Sequence, residues 1–584
     1  MRNPLPLAAL IASSFSTVLV VAAAGFTANA RADEPTRIFG ACTDDERTRF
    51  ADGFPAEEKS WASSVISDKM GGPEIFRVGF RLGQSKVSWD VREMGEYLKA
   101  RAYYREGLVH LAYEKFQTQL ITPLQQGVPT FGRVAALECV LKIQRDFPTL
   151  GFGHAMIPNL INYMKRPDLD QGAKEDIAKA LVIRMKEVVN RWDEAEANQI
   201  IASLNGSGLK DYAQYAQALA FQRNGQYAKA IPLWENIVEH DQLPGLFAED
   251  RDTLTILYAR DLYEAKKFDK SADILRRVPR DSNYLAQALS DLSWALLQAN
   301  KRREAIGAAF NIQKSLLTRV YAPEAPLVAS IALHEMCQYA RALKNAVFFK
   351  KKYYPVLIWY NKLTPSQKEH PYQLLTTALR KKGGVPNLVL LEWLRSPEYR
   401  AYQLEANLLF DEKKAAYVLY SSRLNAAKGA AWVKEWKTPM PKFYNEVAPR
   451  QRMVAKNMNA VLTFLTNRIA KQVAKMAENV QMLEVEIFDH AGEDMVWRNV
   501  NPEYQAWLEK QEPETRAKDL YWEWGSMPTD PKSVDEIWED ELGWTIGSVQ
   551  DECKNKEKYR EEKFGGKSGK TQAALPGGAP KDAP

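Results

Sequence analysis

DYAQYAQALAFQRNGQYAKAIPLWENIVEHDQLP, residues 211–244, is the stretch that decides the fold. Ala218, Phe221, Gly225, Tyr227, Ala230 and Trp234 trace a helix, a turn and a second helix. Ala218 and Ala230 let the two helices approach, and the aromatic side chains fill the space between them. A pair of this kind cannot bury its apolar face alone, so it requires stacked neighbours. Neighbours are present in the sequence. The same spacing recurs as Ala100, Tyr103, Gly107, Val109, Ala112 and Phe116, with Pro123 beyond. Phe268, Ser271 and Leu275 repeat the register of Tyr227, Ala230 and Trp234, and Arg302, Ala305 and Ala309 repeat it again. The step from Ala230 to Ser271 is longer than the others, and the extra residues fall in Leu243 to Asp250, which contains Pro and Gly and reads as a loop. The expectation is an all-α chain with a helical solenoid over 93–324.

This spacing resembles the tetratricopeptide repeat. In that family a small residue on the first helix, a small residue opening the second and an aromatic one turn later carry the packing. The resemblance is clearest over 93–126 and 211–244 and extends to 252–285 and 286–319. The chain departs from the pattern at Gln214, where the family favours Trp, and at Pro244, which comes about two residues late. The resemblance implies protein binding without naming the partner, and it implies no cofactor. Transferring the family's inward positions marks a groove formed by Tyr97, Arg101, Tyr104 and Arg105 in the first unit and by Tyr212, Tyr215, Leu219 and Arg223 in the second. Arg260 and Trp294 follow in the remaining two. Arg and aromatic side chains suit a peptide groove, because the guanidinium grips carboxylates in bidentate fashion and rigid rings give area at low entropy cost. The alternative is that each simply covers its own neighbours.

The 584 residues, 46% hydrophobic and 26% charged, suffice for several domains or one long solenoid. A net charge of +6 is too mild for this length to argue for nucleic acid as a partner. Residues 1–32 have the form of a secretory signal: Arg2, an apolar run from Leu5 to Phe26, then the small-residue sites Ala28-Asn29-Ala30 and Ala30-Arg31-Ala32. Cleavage after Ala32 would start the mature chain at Asp33, and the alternative is an uncleaved anchor. No later segment approaches spanning length, so the expected mature protein is soluble or peripheral to a membrane. The short charged start and alanine-rich cleavage region have a bacterial form, which points to the periplasm.

Four cysteines in an exported chain raise the question of disulfides. Cys139 and Cys337 lie in apolar helical patterns and read as small buried hydrophobes. Cys42 and Cys553 sit in polar surroundings at opposite ends of the ordered chain, and the expectation is a bridge between them. Absence of Cys-x-x-Cys argues against zinc and thioredoxin-type chemistry.

Beyond the N-terminal segment 33–92 and the solenoid, residues 325–446 read as further helices. Candidates are Leu327 to Leu343 and Gln403 to Leu424, with breaks at Pro355, Pro365, Pro371 and Gly383-Gly384-Val385-Pro386. One long helix is predicted over 447–490, where Val454, Met458, Val461, Leu465, Ile469, Val473, Met476, Val480, Leu483 and Ile487 step by three, four or seven. Its expected role is a brace across the solenoid's end, the alternative being an oligomerising coiled coil. Residues 491–553 form an acidic block. From 484 to 552 the chain carries nineteen Asp or Glu against five Lys or Arg, with six tryptophans, among them Trp497 and Trp507. That is too aromatic for a disordered acidic tail. Calcium is an alternative for the carboxylates, although no Asp-x-Asp-x-Asp-Gly spacing occurs. Residues 554–584 turn basic and then Gly/Ala/Pro-rich, and read as a disordered tail.

Enzyme-like fragments fail on their own terms. His334-Glu335-Met336-Cys337-Gln338 lacks the second histidine of a zinc protease. Gly565-Gly566-Lys567-Ser568-Gly569-Lys570-Thr571 would need glycine at 564, which is Phe, and Gly151-Phe152-Gly153 has Met156 where a third glycine belongs. The sequence therefore reads as a non-enzymatic periplasmic scaffold that binds other envelope proteins or peptides. In its order of signal, repeats, long helix and acidic Trp-rich block it is loosely similar to periplasmic repeat proteins of gliding-motility and cell-envelope machines. Two alternatives stand beside it: a structural subunit of a motility or secretion machine, and a peptidoglycan hydrolase or regulator of cell-wall enzymes.

Overall fold

The computed structural model describes residues 38–39, 42, 47–48, 71–84, 86, 89–122, 130–150, 156–164, 171–191, 193–240, 248–314, 316–381, 383–422, 430–511, 522–524, 545–547 and 549–564. The signal segment, its cleavage site, Pro123, Gly151 to Gly153, most of Leu243 to Asp250 and the Gly565 to Thr571 fragment lie outside them. Helices dominate. Among the described residues the strands are two short antiparallel ribbons, β1 (Ile38–Phe39) with β2 (Arg47–Thr48), and β3 (Trp522–Trp524) with β4 (Thr545–Gly547). The chain divides into two compact units, one running to Val140 and including Ala426–Trp436, the other formed by Leu141–Asn425 and Lys437–Pro584.

In the first unit, α1 (Gly72–Gly83) packs on α2 (Trp89–Arg105), which pairs with α3 (Val109–Ile121); α4 (Phe131–Asp146) begins in this unit and ends in the second. α1 and α2 meet backbone to backbone at Gly95, where a Cβ would lie 2.4 Å from the Gly83 nitrogen, so only glycine fits. A distant piece of chain completes this core. Trp436, at the far end of the segment that follows residue 425, is fully buried, stacks on Tyr103 with ring centroids 4.7 Å apart and meets the Phe76 ring edge-on at 5.0 Å.

The second unit continues with α5 (Ile157–Met164), α6 (Gln171–Arg191) and α7 (Glu194–Gly206), then the helix pair α8 (Lys210–Arg223) and α9 (Tyr227–Glu239). Next come α10 (Ala248–Glu264) with α11 (Phe268–Leu275), α12 (Leu285–Gln298) with α13 (Arg302–Lys314), and α14 (Glu324–Glu335) with α15 (Tyr339–Lys362). Each helix packs on the next, which is the arrangement of a helical solenoid.

One turn geometry recurs six times among the described residues, at Gly208 and in five helix pairs that share a pattern of small residues. Gly107, Gly225, Lys266, Asn300 and Cys337 all have positive φ, between 57° and 77°, and each stands two residues before a second helix. In each turn that residue's N–H donates to the carbonyl three residues back, and the next N–H donates to the carbonyl five back, as in Gly225 to Gln222 and Gln226 to Phe221. This double bond satisfies carbonyls left open at the first helix's end. Seven residues before each turn residue stand Ala100, Ala218, Ala259, Ser293 and Ser330, and five after stand Ala112, Ala230, Ser271, Ala305 and Ala342. All ten are at most 1% exposed. Two serines also tie the pair together: Ser271 Oγ donates to the Ala259 carbonyl at 2.7 Å, and Ser330 Oγ to that of Ala342 at 2.8 Å. The fifth unit was not expected. Leu327 to Leu343 reads as one helix in sequence, but it breaks at a turn whose left-handed residue is Cys337 in place of glycine.

Pro355 also departs from expectation, because α15 continues through it. Pro365 and Pro371 open α16 (Pro365–Glu369) and α17 (Pro371–Lys381), and α18 (Asn387–Arg395) and α19 (Pro397–Ser421) follow the Gly383 to Pro386 turn. After α20 (Ala431–Lys437) comes α21 (Pro439–Val500), 62 residues and about 93 Å long at 1.5 Å per residue. Its buried stripe includes Val454, Met458, Leu465, Ile469, Val473, Val480, Leu483 and Ile487 as expected, with Leu462 and Ala477 buried where Val461 and Met476 were predicted. The stripe drifts because 3.6 residues per turn does not match a strict seven-residue step. α21 packs along α15 and α19 and touches α14, α16, α17 and α18.

The C-terminal block is more ordered than expected. α22 (Glu503–Glu509) packs against α23 (Glu552–Phe564), so the tail predicted to be disordered from 554 begins with a helix whose Tyr559 is buried. The amphipathic signal of α23 is faint because its lysines and glutamates dominate the composition, and burial is confined to residues such as Tyr559 that meet α22 and α21.

Candidate protein-binding surface

The proposed groove residues separate into two sets. Tyr97, Arg101, Tyr212, Tyr215 and Leu219 are buried, at most 9% exposed. Tyr97 packs on Phe116 at 5.9 Å with its hydroxyl 3.8 Å from the Cys139 sulfur, and Tyr215 meets Trp234 edge-on at 5.7 Å. The Arg101 guanidinium lies over the Tyr104 ring, 5.5 Å from its centre. These five fill the space between helices, so they are corrected from groove lining to core. The family spacing places them on the first helix's inward face, and in this chain neighbouring side chains cover them there. Tyr104 is half-buried, and Arg105 and Arg223 are exposed. Arg101 and Arg223 belong to different compact units.

Arg260 and Trp294 are accessible but already engaged. Arg260 Nε donates to Asp291 at 2.7 Å, and Trp294 Nε1 donates to Glu324 at 2.9 Å. Glu324 in turn accepts from Gln472 of α21 at 3.2 Å. A ladder of polar contacts thus runs from one first helix to the next and ends on the long helix.

α21 occupies the position of a further first helix. It packs extensively on α15, the second helix of the fifth unit, and lightly on α14, as each first helix does on the preceding pair. The Tyr321 hydroxyl donates to the Ile469 carbonyl at 3.3 Å, and His334 and His490 stack in parallel with Nε2 and Nδ1 2.8 Å apart. Burial pushes the His334 pKa down, and His490 beside it adds to the shift against the opposing pull of Glu486 and Glu335. In sequence His334 has no second histidine four residues on, and the histidine it meets lies 156 residues away.

The second buried polar site joins successive pairs. Asp261 is fully buried and accepts from Gln222 Nε2 at 2.7 Å and from Trp234 Nε1 at 2.9 Å. Burial raises its carboxyl to about 6, with the two donors pulling the other way. In the first unit, Glu93 and Arg133 form a buried pair, with Arg133 Nε 2.7 Å from Glu93 Oε2 and the Thr130 hydroxyl also donating to Glu93. These groups are fully occupied in holding helices together.

The disulfides overturn the expected pairing of Cys42 with Cys553. Cys42 is bonded to Cys139, with Cα atoms 5.3 Å apart, and Cys337 to Cys553, at 5.2 Å. Cys337 lies on the turn and not within the helix, so its apolar flanks misled the sequence reading; Cys139 is buried, but beside Cys42. The second bridge fastens α23 to the turn of the fifth unit, where the Glu552 N–H also donates to the Met336 carbonyl at 3.0 Å. Around it Trp497, Tyr504, Trp507 and Tyr559 make a cluster with ring centroids 5.0 to 6.1 Å apart. The Tyr504 hydroxyl donates to Glu552 at 3.0 Å, and burial with that carboxylate pushes its pKa up. Half of the expected acidic Trp-rich block is therefore a clasp, while Trp538, Trp544 and the side chains of Trp522 and Trp524 lie outside the described residues.

Among the described residues, no helix is long and apolar enough to cross a membrane, and no group of three His, Cys, Asp or Glu gathers to hold a metal ion. The geometry defines an all-α helical-repeat protein. The sequence matches no protein-family model and no curated protein.

Proposed function

We propose that this protein is an exported scaffold of the bacterial cell envelope that binds other proteins through its helical repeats and catalyses no reaction itself. The observation that carries the reading is the five-fold recurrence of one helix-turn-helix geometry, with buried small residues at fixed positions. It supports the tetratricopeptide-like reading of the sequence, and such arrays present side chains of successive first helices as one surface. Pairing of all four cysteines supports an oxidising compartment such as the periplasm. In the second unit, Arg223 and the Arg260 and Asp291 pair are accessible first-helix groups that a partner would meet. Rim contacts of this kind set orientation and salt dependence more than affinity.

A photo-crosslinking amino acid placed at Arg223 or Arg260 in living cells tests the reading. A small set of protein adducts, weakened by Arg223→Glu when the partner is acidic, is the expected result. Adducts dominated by glycan strands would favour the regulator of cell-wall enzymes, and stoichiometric co-purification with an outer-membrane barrel would favour a motility or secretion subunit.

A further inference from the structure

A helix that ends a solenoid ordinarily turns a polar face outward, because nothing stacks on it. The outer face of α21 does not follow that rule. Met453, Phe464, Met482, Val485, Phe488, Met495, Val496 and Val500 are between 62% and 74% exposed. At 100° per residue, Met453, Phe464, Met482, Val485, Val496 and Val500 fall within one narrow stripe, opposite the buried Val480, Leu483 and Ile487.

The charges around this stripe are segregated. From residue 447 to 477 the chain has no Asp or Glu, and its exposed outer face carries Arg452, Lys456, Arg468, Lys471 and Lys475. From 476 to 497 it has no Lys or Arg, and the exposed face carries Glu478, Glu486, Asp489 and Glu493. A helix that is basic in one half and acidic in the other is its own complement when reversed. Turned about a point between Lys475 and Glu478, each copy sets Lys475 against the other's Glu478 and brings Arg468 within about one helical turn of the other's Glu486 and Asp489, and Lys471 within about one turn of its Glu486. Met453 then meets Val500, while Phe464, Arg468 and Lys471 fall opposite Asp489, Val485 and Met482, so the self-complementarity that a two-fold axis requires is carried by the segregation of charge along the helix.

We propose that the outer face of α21 binds a second copy of this chain in an antiparallel helix pair. Opposite charges interrupt the apolar seam, which favours a reversible, salt-sensitive dimer over a permanent one.

Sedimentation of the full mature chain at low and high salt, with two charge-reversed variants, tests this. Variant one carries Arg468→Glu, Lys471→Glu and Lys475→Glu; variant two carries Glu478→Lys, Glu486→Lys and Asp489→Lys. All six positions are exposed, and circular dichroism checks that each variant folds. The wild type should dimerise, less tightly as salt rises. Each variant alone should lose at least roughly tenfold in dimer affinity, because like charges then face each other. Mixing the two should restore a dimer, since one face is then wholly acidic and the other wholly basic. Should a triple variant misfold, Phe464→Ser with Phe488→Ser is to weaken the dimer as well. A monomeric wild type would overturn the proposal, including one that instead captures a different partner on this face. Dimers unaffected by either charge reversal would overturn it too, by placing the interface elsewhere.

Discussion

Replacing Asp261 probes how consecutive pairs are joined, because its carboxylate takes hydrogen bonds from Gln222 and Trp234 while itself standing on α10. Burial raises its pKa from 3.8 to about 6. Between those values the native state holds more proton than the unfolded chain, so this group's contribution to stability falls as pH rises through the window and levels off above it. A shift of about two units corresponds to an upper bound of about 3 kcal/mol at pH 7, and screening by the polar groups nearby brings that to about 1–2 kcal/mol. Asp261→Asn removes the charge and keeps the shape, and a flipped Gln222 amide lets both side chains stay bonded. It should therefore be as stable as wild type near pH 4.5 or slightly less so, and more stable at pH 7. Asp261→Ala should lose about 1–3 kcal/mol at either pH, because the buried Trp234 N–H is left without an acceptor. The assay is urea unfolding followed by tryptophan fluorescence at pH 4.5, 5.5, 6.5 and 7.5, each variant read as its difference from wild type so that other titrating groups cancel. A difference for Asp261→Asn that stays flat across this range would refute the reasoning, as would an alanine variant more stable than the asparagine one.

Three further outcomes are expected. Ala342→Leu should cost about 1–3 kcal/mol, as Ala230→Leu should, because both positions are fully buried where paired helices touch; an unchanged melting temperature for Ala342→Leu would remove the fifth unit. Gly225→Ala should destabilise by about 1 kcal/mol or more and Lys266→Gly should stabilise by about 0.5–1 kcal/mol in chemical denaturation, since both turn residues hold positive φ. The depressed His334 pKa means that the native state takes up less proton than the unfolded chain as pH falls below about 6.5. The stability that depends on His334 should therefore fall between pH 7 and 5.5, and His490→Gln, which removes the neighbouring imidazole that helps lower the His334 pKa, should gain in melting temperature relative to wild type across that window.

What could be read in advance was whatever repeats locally. The small residues around Gly107 and Gly225 carried the helix pairs, and the apolar stripe from Val454 to Ile487 carried the long helix, because helical periodicity needs only neighbouring residues. The fifth unit was hidden because Cys337 holds a backbone geometry that the sequence advertises only through glycine. Contacts between distant positions left no trace. Cys139 looked inert without Cys42 beside it, His334 looked alone without His490, and nothing near Trp436 announces that it completes the core containing Phe76 and Tyr103. For the candidate surface, the spacing placed Arg223 and Arg260 on accessible faces but could not tell them from Tyr97 and Tyr215, which the next layer of helices buries.

Capture from crosslinked cell envelopes, using the mature chain as bait and quantifying both proteins and glycan, tests the scaffold reading most directly. The account predicts a few envelope proteins recovered at near-stoichiometric amounts, dependent on Arg223 and lost when Ala230→Leu disrupts the array. Recovery of glycan strands without protein partners, or of the same proteins in equal yield with the disrupted array, would contradict it.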